Sequence, residues 1–121
     1  MKGKKASYNY TDFLLEIARE RAEKFSRWKK YVSEIKRFVR KRLGGDIEVI
    51  VFGSVARGDY TVGLSDIDVL VVSRKFKNRD VKYEILGELL LKYGGTFEFH
   101  LVTPKEKKLY LKFIKRDMVK L

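Results

Sequence analysis

The chain has 121 residues, no cysteine and one proline, and its 28 Lys and Arg outweigh 16 Asp and Glu to give a net charge of +12. This length and a 45% hydrophobic content suit one globular domain, while the lack of cysteine excludes disulfides and thiolate metal sites. No apolar run approaches a membrane span, and the opening MKGKKASYNY has no apolar signal core, so a cytoplasmic chain with no membrane partner is expected.

Residues 1–8 read as a basic tail. From Thr11 to Leu43, the residues Leu14, Ile17, Ala18, Phe25, Trp28, Val32, Ile35, Val39 and Leu43 recur at helical spacing. Asn9 or Thr11 would cap the start, and Gly44-Gly45 would stop the end. One unbroken helix over this segment would run about 50 Å, too long for so small a domain. A break near Lys24–Arg27 is therefore expected, or else a helix that projects to meet a partner. The aromatic residues Phe25, Trp28 and Tyr31 read as packing residues of the core or of a dimer.

IEVIVFG (47–53) and IDVLVVS (67–73) read as strands, joined by the turn-rich SVARGDYTVGLS. DVKYEILGELLLKYGG (80–95) reads as a helix capped by Asp80 and ended by Gly94-Gly95. TFEFHLV (96–102) alternates as a third strand. TPKE (103–106) then opens a last helix, with Thr103 as cap, Pro104 in first position and Glu106 closing a capping box, and this helix is expected to run to about Met118. The fold class expected is α+β: a small mixed sheet packed with helices in the order helix, strand, turn, strand, helix, strand, helix.

The charge is uneven. Residues 1–45 carry 14 basic and 5 acidic side chains, residues 46–73 carry 1 and 5, and residues 74–121 carry 13 and 6. A basic shell thus surrounds one acidic segment, which fits nucleotide, RNA or an acidic partner protein. Within the acidic segment, Asp66 and Asp68 stand at the entrance of an apolar strand, two residues apart and so on one face, about 7 Å apart along the chain. Like charges in that position call for a positive group between them or for open water. Hard cations such as Mg²⁺ take carboxylate oxygens together with substrate phosphates.

Two further features converge there. Gly53-Ser54 follows the first strand, where a glycine lets backbone approach a ligand and the Ser54 hydroxyl can hold phosphate oxygens. On the third strand, Phe97, Phe99 and Leu101 face one side, while Glu98 and His100, the only histidine, face the other. If that strand lies beside residues 67–73, Glu98 meets the two aspartates across the ladder, as a metal ligand or as a base. His100 reads either as a hydrogen-bonded structural residue or as a neighbour of the site. Arg57 pairs with Asp59 or touches a phosphate.

The stretch VFGSVARGDYTVGLSDIDVLVVS, an apolar strand followed by Gly-Ser and, a dozen residues on, by Asp-apolar-Asp-apolar, resembles the polymerase-beta-like nucleotidyltransferase superfamily. Its small size looks most like the minimal nucleotidyltransferases (MNT), particularly the stand-alone archaeal ones. The resemblance covers about residues 46–104 as a catalytic core, and it implies one nucleotidyltransferase domain over residues 1–121. It implies antiparallel first and second strands joined by a short helical turn at Ser54–Gly58. Gly53 and Ser54 would contact the triphosphate of ATP or another NTP, and Asp66 and Asp68 would bind two Mg²⁺ ions.

The chain departs from that family in two respects. The third carboxylate, often Asp in the minimal group, is here Glu98, which reaches farther. No separate base- or acceptor-binding domain follows the core, so a homodimer or a second protein would complete the site. In the resembling family such chains are often paired with a HEPN-domain protein as toxin and antitoxin, and neutralise it by binding or by transferring AMP to a tyrosine. The expected function is accordingly Mg-dependent transfer of a nucleoside monophosphate, AMP from ATP, to a protein hydroxyl. A non-catalytic protein-binding antitoxin and an RNA-modifying nucleotidyltransferase are the alternatives.

Overall fold

Apolar periodicity and caps account for most of the elements in the computed structural model, which describes residues 7–60, 65–114 and 117–121. Of the basic tail, residues 1–6 lie outside the described residues. Helix α1 (Tyr10–Ser26) starts with a reciprocal capping box, in which the Asn9 side chain accepts from the Asp12 N–H and the Asp12 carboxylate accepts from the Asn9 N–H. Asn9, not Thr11, is thus the cap.

The expected break falls at Arg27, whose φ of −123° and ψ of 33° leave the helical region, and α2 (Trp28–Leu43) follows. The break lets α2 lay Val32, Ile35, Val39 and Leu43 on the sheet, all buried, whereas Phe25 alone is buried in α1. Tyr31 Oη donates to Glu23 Oε2 at 2.8 Å across the junction.

Strands β1 (Ile47–Phe52) and β2 (Ile67–Ser73) pair antiparallel and are linked through the four-residue helix α3 (Ser54–Arg57), as the resemblance implied; residues 61–64 of the link lie outside the described residues. A 3-10 turn (Arg74–Lys77) leads into α4 (Arg79–Tyr93), then β3 (Phe97–Val102), α5 (Pro104–Ile114) and β4 (Met118–Lys120). The sheet has the order β3-β2-β1-β4, with β2 and β3 parallel and β4 antiparallel to β1. The α+β reading and its mixed sheet hold.

Three local expectations differ. The cap of α4 is Asn78, whose side chain accepts from the N–H groups of Asp80 and Val81; Asp80 sits inside the first turn. The last helix is described over Pro104–Ile114, residues 115–116 lie outside the described residues, and Met118 is not helical, although the Thr103–Glu106 capping box forms as expected. Met118–Lys120 then forms a strand, because the free edge of β1 offers backbone partners that no local pattern announces.

The two faces of the sheet are unlike. On one, Val49, Val51, Val69 and Val71 are fully buried and join Phe25 with residues of α2 and α4. On the other, Ile50, Leu70, Val72 and Val102 pack with Ile114 and Tyr110 of α5. The strand-entrance end of this second face carries Asp68, Glu98 and His100, none of them fully buried.

Glu48 ties three elements together on the second face. Its carboxylate accepts from Lys107 Nζ of α5 and from Lys120 Nζ of β4, each at 2.6 Å. These lysines, Lys107 foremost, hold the Glu48 carboxyl below its ordinary range. The resulting stability is fully present above the ordinary carboxylate range and is lost as pH falls through the depressed folded value. Glu48→Gln should cost about 1 kcal/mol at pH 7, the ion pairs being partly screened, and urea melts of variant and wild type should converge as the solution is acidified through the carboxylate range.

Candidate functional site at the entrance of β2

The site begins where β1 ends. Phe52 is the register partner of Asp68, so the next residue, Gly53, lies against the Asp68 carboxylate. Gly53 has φ +81° and ψ −154°, a conformation that side chains other than glycine's rarely adopt. A Cβ added there would stand 2.5 Å from Asp68 Oδ2. The glycine therefore serves the carboxylate as well as the turn. Ser54 follows directly, and its backbone carbonyl accepts from the N–H groups of Gly58 and Asp59, which closes α3.

Parallel pairing places Asp68 beside Glu98 and Leu70 beside His100. His100 Nε2 lies 3.5 Å from Asp68 Oδ1 and 3.2 Å from Glu98 Oε1. Its other nitrogen, Nδ1, is 3.3 Å from Tyr110 Oη, and the ring packs against Phe52 and Tyr110 with centroids 5.2 and 5.5 Å away. Among the described residues, one oxygen from each carboxylate and one imidazole nitrogen lie within 4.8 Å of one another.

This donor set suits a divalent cation. Donors on adjacent corners of an octahedron with bonds of about 2.1 Å stand about 3 Å apart, close to the two His100 distances. The carboxylates supply the negative charge that such an ion requires.

Asp66 lies outside this trio. Its Oδ1 is 3.6 Å from Arg21 Nη2 of α1, and the same guanidinium donates to the backbone carbonyls of Ser65 and Gly95. The Arg21 side chain is 18% exposed and that of Asp66 53%, so the anchored arginine leaves the carboxylate facing solvent. A shallow cavity of about 320 Å³ at the β3 edge is lined by both Asp66 and Glu98, together with Gly95, Phe97 and Phe99.

The two aspartates thus have different neighbours, Arg21 for one and His100 for the other. Arg57 makes the pairing with Asp59, Nε to Oδ2 at 3.2 Å, which the sequence left as one of two choices. Sequence reading missed Arg21 and Tyr110. Arg21 lies one helical turn before the buried Phe25, a spacing that does point it at the body of the fold.

A larger cavity, about 850 Å³, opens at the far end of β2 and β3 among Arg74, Lys77, Arg79, Lys82, Tyr83 and Lys105. It contains none of the residues of the carboxylate site.

Residues 32–121 match the nucleotidyltransferase domain family, and the chain belongs to that family. It is thereby a transferase by class. A crystal structure described as a "putative nucleotidyltransferase" is 41% identical with a TM-score of 0.65, covering 75% of this chain and 97% of that one. A second, from Sulfolobus solfataricus, is 29% identical with a TM-score of 0.59, covering 83% of this chain and 84% of that one. A Methanocaldococcus jannaschii protein described as a "putative protein adenylyltransferase" is 42% identical over 66 residues, 54% of this chain. The chain spans 60% of that relative's length. Helix α1, which supplies Arg21, precedes the family match.

Gly53→Ala should be costly on both counts visible here. Backbone strain and the clash with Asp68 should lower stability by about 1–3 kcal/mol. Thermal melts measure that loss.

Proposed function

We propose that the chain transfers AMP from ATP to a hydroxyl group on a protein, in the presence of Mg²⁺ or a similar divalent cation. The observation that carries this reading is the convergence of Asp68, Glu98 and His100 beside Gly53-Ser54, within a chain of the nucleotidyltransferase domain family. The AMP donor and protein acceptor are supported by the description of the M. jannaschii relative. We further take residues 1–121 as a single domain, with residues 46–104 as its core, and Asp66 as a second carboxylate at the same mouth.

In this reading, Gly53 and Ser54 hold the triphosphate against the sheet end, and Arg57 lies close enough in sequence to reach its outer oxygens. Asp68 and Glu98 would hold a divalent cation, Asp66 would offer oxygens to a second, and such ions would supply neutralisation of phosphate charge. The acceptor oxygen bonds to the α-phosphorus, the bond from that phosphorus to the bridging oxygen breaks, and pyrophosphate leaves. The hydroxyl proton passes to an exposed carboxylate, for which Glu98 is placed. By resemblance, the acceptor is a tyrosine of a HEPN-domain protein in a toxin–antitoxin pair, and that partner or a second copy completes the open side of the site.

Incubation with α-labelled ATP, the cation and a HEPN-domain acceptor tests this. Asp68→Asn should reduce labelling by about 10²-fold or more without unfolding the chain. Equal labelling by variant and wild type would end the proposal.

One observation favours a second reading, transfer to RNA. The cavity at the far end of β2 and β3 gathers five cations around Tyr83, whose exposed ring offers a stacking surface. RNA bound there should lose affinity steeply with salt, with a slope of about −0.7 per phosphate contacted, and Arg79→Glu with Lys82→Glu should flatten that slope. A shallow slope in the wild type, equal to that of the charge-reversed variant, would leave the protein acceptor as the sole reading.

A further inference from the structure

His100 takes a position in this site that an all-carboxylate magnesium centre does not need. Its Nε2 faces the oxygens of Asp68 and Glu98 at 3.5 and 3.2 Å, and its Nδ1 faces Tyr110 Oη at 3.3 Å. The ring is confined by Phe52 and Tyr110, and the side chain is only 21% exposed. Two chemical states fit these contacts. In one, a protonated imidazole bridges the two carboxylates as an ion pair and no metal nitrogen bond forms. In the other, Nδ1–H donates to the tyrosine oxygen, and the Nε2 lone pair points at the space between the carboxylates.

We infer that His100 is a nitrogen ligand of the cation site, that Tyr110 fixes the tautomer which makes it one, and that the pair selects a divalent first-row transition ion over Mg²⁺. The inference rests on the proposal that this cluster binds a divalent cation.

Three arguments favour the ligand state. The first is the donor chemistry, since Mg²⁺ is a hard ion that keeps oxygen ligands and sheds water reluctantly, whereas an imidazole nitrogen shifts a mixed site toward transition ions. The second is the outer contact, because a ligating histidine commonly donates its second N–H to an oxygen, which fixes ring and tautomer together. Tyr110, on α5, supplies that oxygen from the helix whose start is set by the Thr103–Glu106 box. The third is register: Leu70 is the β2 residue paired with His100, so the imidazole emerges one pleat beyond the Asp68–Glu98 pair and lies over it. Tyr110 acts through His100 and is a positioning residue.

Mn²⁺ is a stringent probe, because it stands at the weak end of the divalent transition series and its electron paramagnetic resonance reports directly bound nitrogen. Titrating the full chain with Mn²⁺ alone, and then in competition with Mg²⁺, should show Mn²⁺ retained against at least a tenfold excess of Mg²⁺. Pulsed resonance should show coupling to one ¹⁴N nucleus. His100→Ala should abolish that coupling and weaken Mn²⁺ binding by at least tenfold, while Mg²⁺ binding changes much less. Tyr110→Phe should keep the coupling and weaken Mn²⁺ several-fold, a pattern that a merely structural tyrosine would not produce. His100→Gln, which preserves a polar group over the carboxylates, guards against a fold defect in the alanine variant; circular dichroism checks both.

Mn²⁺ bound without nitrogen coupling, or a Mn²⁺/Mg²⁺ ratio unchanged in both His100 variants, overturns the inference and returns His100 to the bridging ion pair. In either case wild-type AMP transfer with Mg²⁺ would persist, so the proposed activity would stand. No binding of either ion, together with no transfer from labelled ATP, would instead remove both.

Discussion

Asp68 can stand at the mouth of a fully buried strand because the residue beside it has no side chain. The β1–β2 register brings Phe52 opposite Asp68 and so carries the next residue across the carboxylate face. Any Cβ at position 53 would occupy the space taken by Asp68 Oδ2. The carboxylate keeps an open face toward the strand entrance, where Glu98 and His100 arrive from β3. The cluster of Asp68, Glu98 and His100 thus depends on one close approach, that of Gly53 to the Asp68 carboxylate.

The second organising constraint is charge. A chain of net charge +12 concentrates carboxylates in one segment and then supplies each of several with its own cation. Glu48 has Lys107 and Lys120, Asp59 has Arg57, Asp66 has Arg21, and Asp68 faces His100. These partners differ in consequence. The lysines on Glu48 join β1 to α5 and β4, and they lie away from the mouth. Arg21 reaches the mouth itself, from a helix outside the family match, and also holds the loop ends at Ser65 and Gly95. Removing it would take away the contact to Asp66 together with those to Ser65 and Gly95, so position and electrostatics are coupled there.

The two ends of the parallel pair β2–β3 have opposite characters. At the entrance lie carboxylates and a shallow cavity; at the exit lie five cations around a larger one. Alternation along each strand explains part of this, since Asp68, Leu70 and Val72 share a face that is polar at one end and covered by α5 at the other. Helix α5 packs over Leu70, Val72 and Val102, and its Tyr110 also reaches Phe52 and His100 at the entrance. This polarity gives the sheet one end lined by carboxylates and one lined by cations.

Residues close in sequence could be read without a structure. Strand alternation in 67–73 and 97–102, the Thr103–Glu106 box, the helix break beside Phe25 and the Gly-Ser after β1 are all set by neighbours a few positions apart, where sterics and hydrogen bonding act directly. The same local reading put Glu98 and His100 on one face. It could not say which cation answers Asp66, because Arg21 lies 45 positions earlier and meets it only once α1 folds over the sheet. Nor could it separate the two aspartates, assign Tyr110 to His100, or anticipate β4, whose three residues carry no periodic signal and are strand only because β1 has a free edge. Sequence determined which groups were available and which way each strand turned them; tertiary structure decided which met, because side-chain contacts between distant segments depend on register and helix docking that no local pattern encodes.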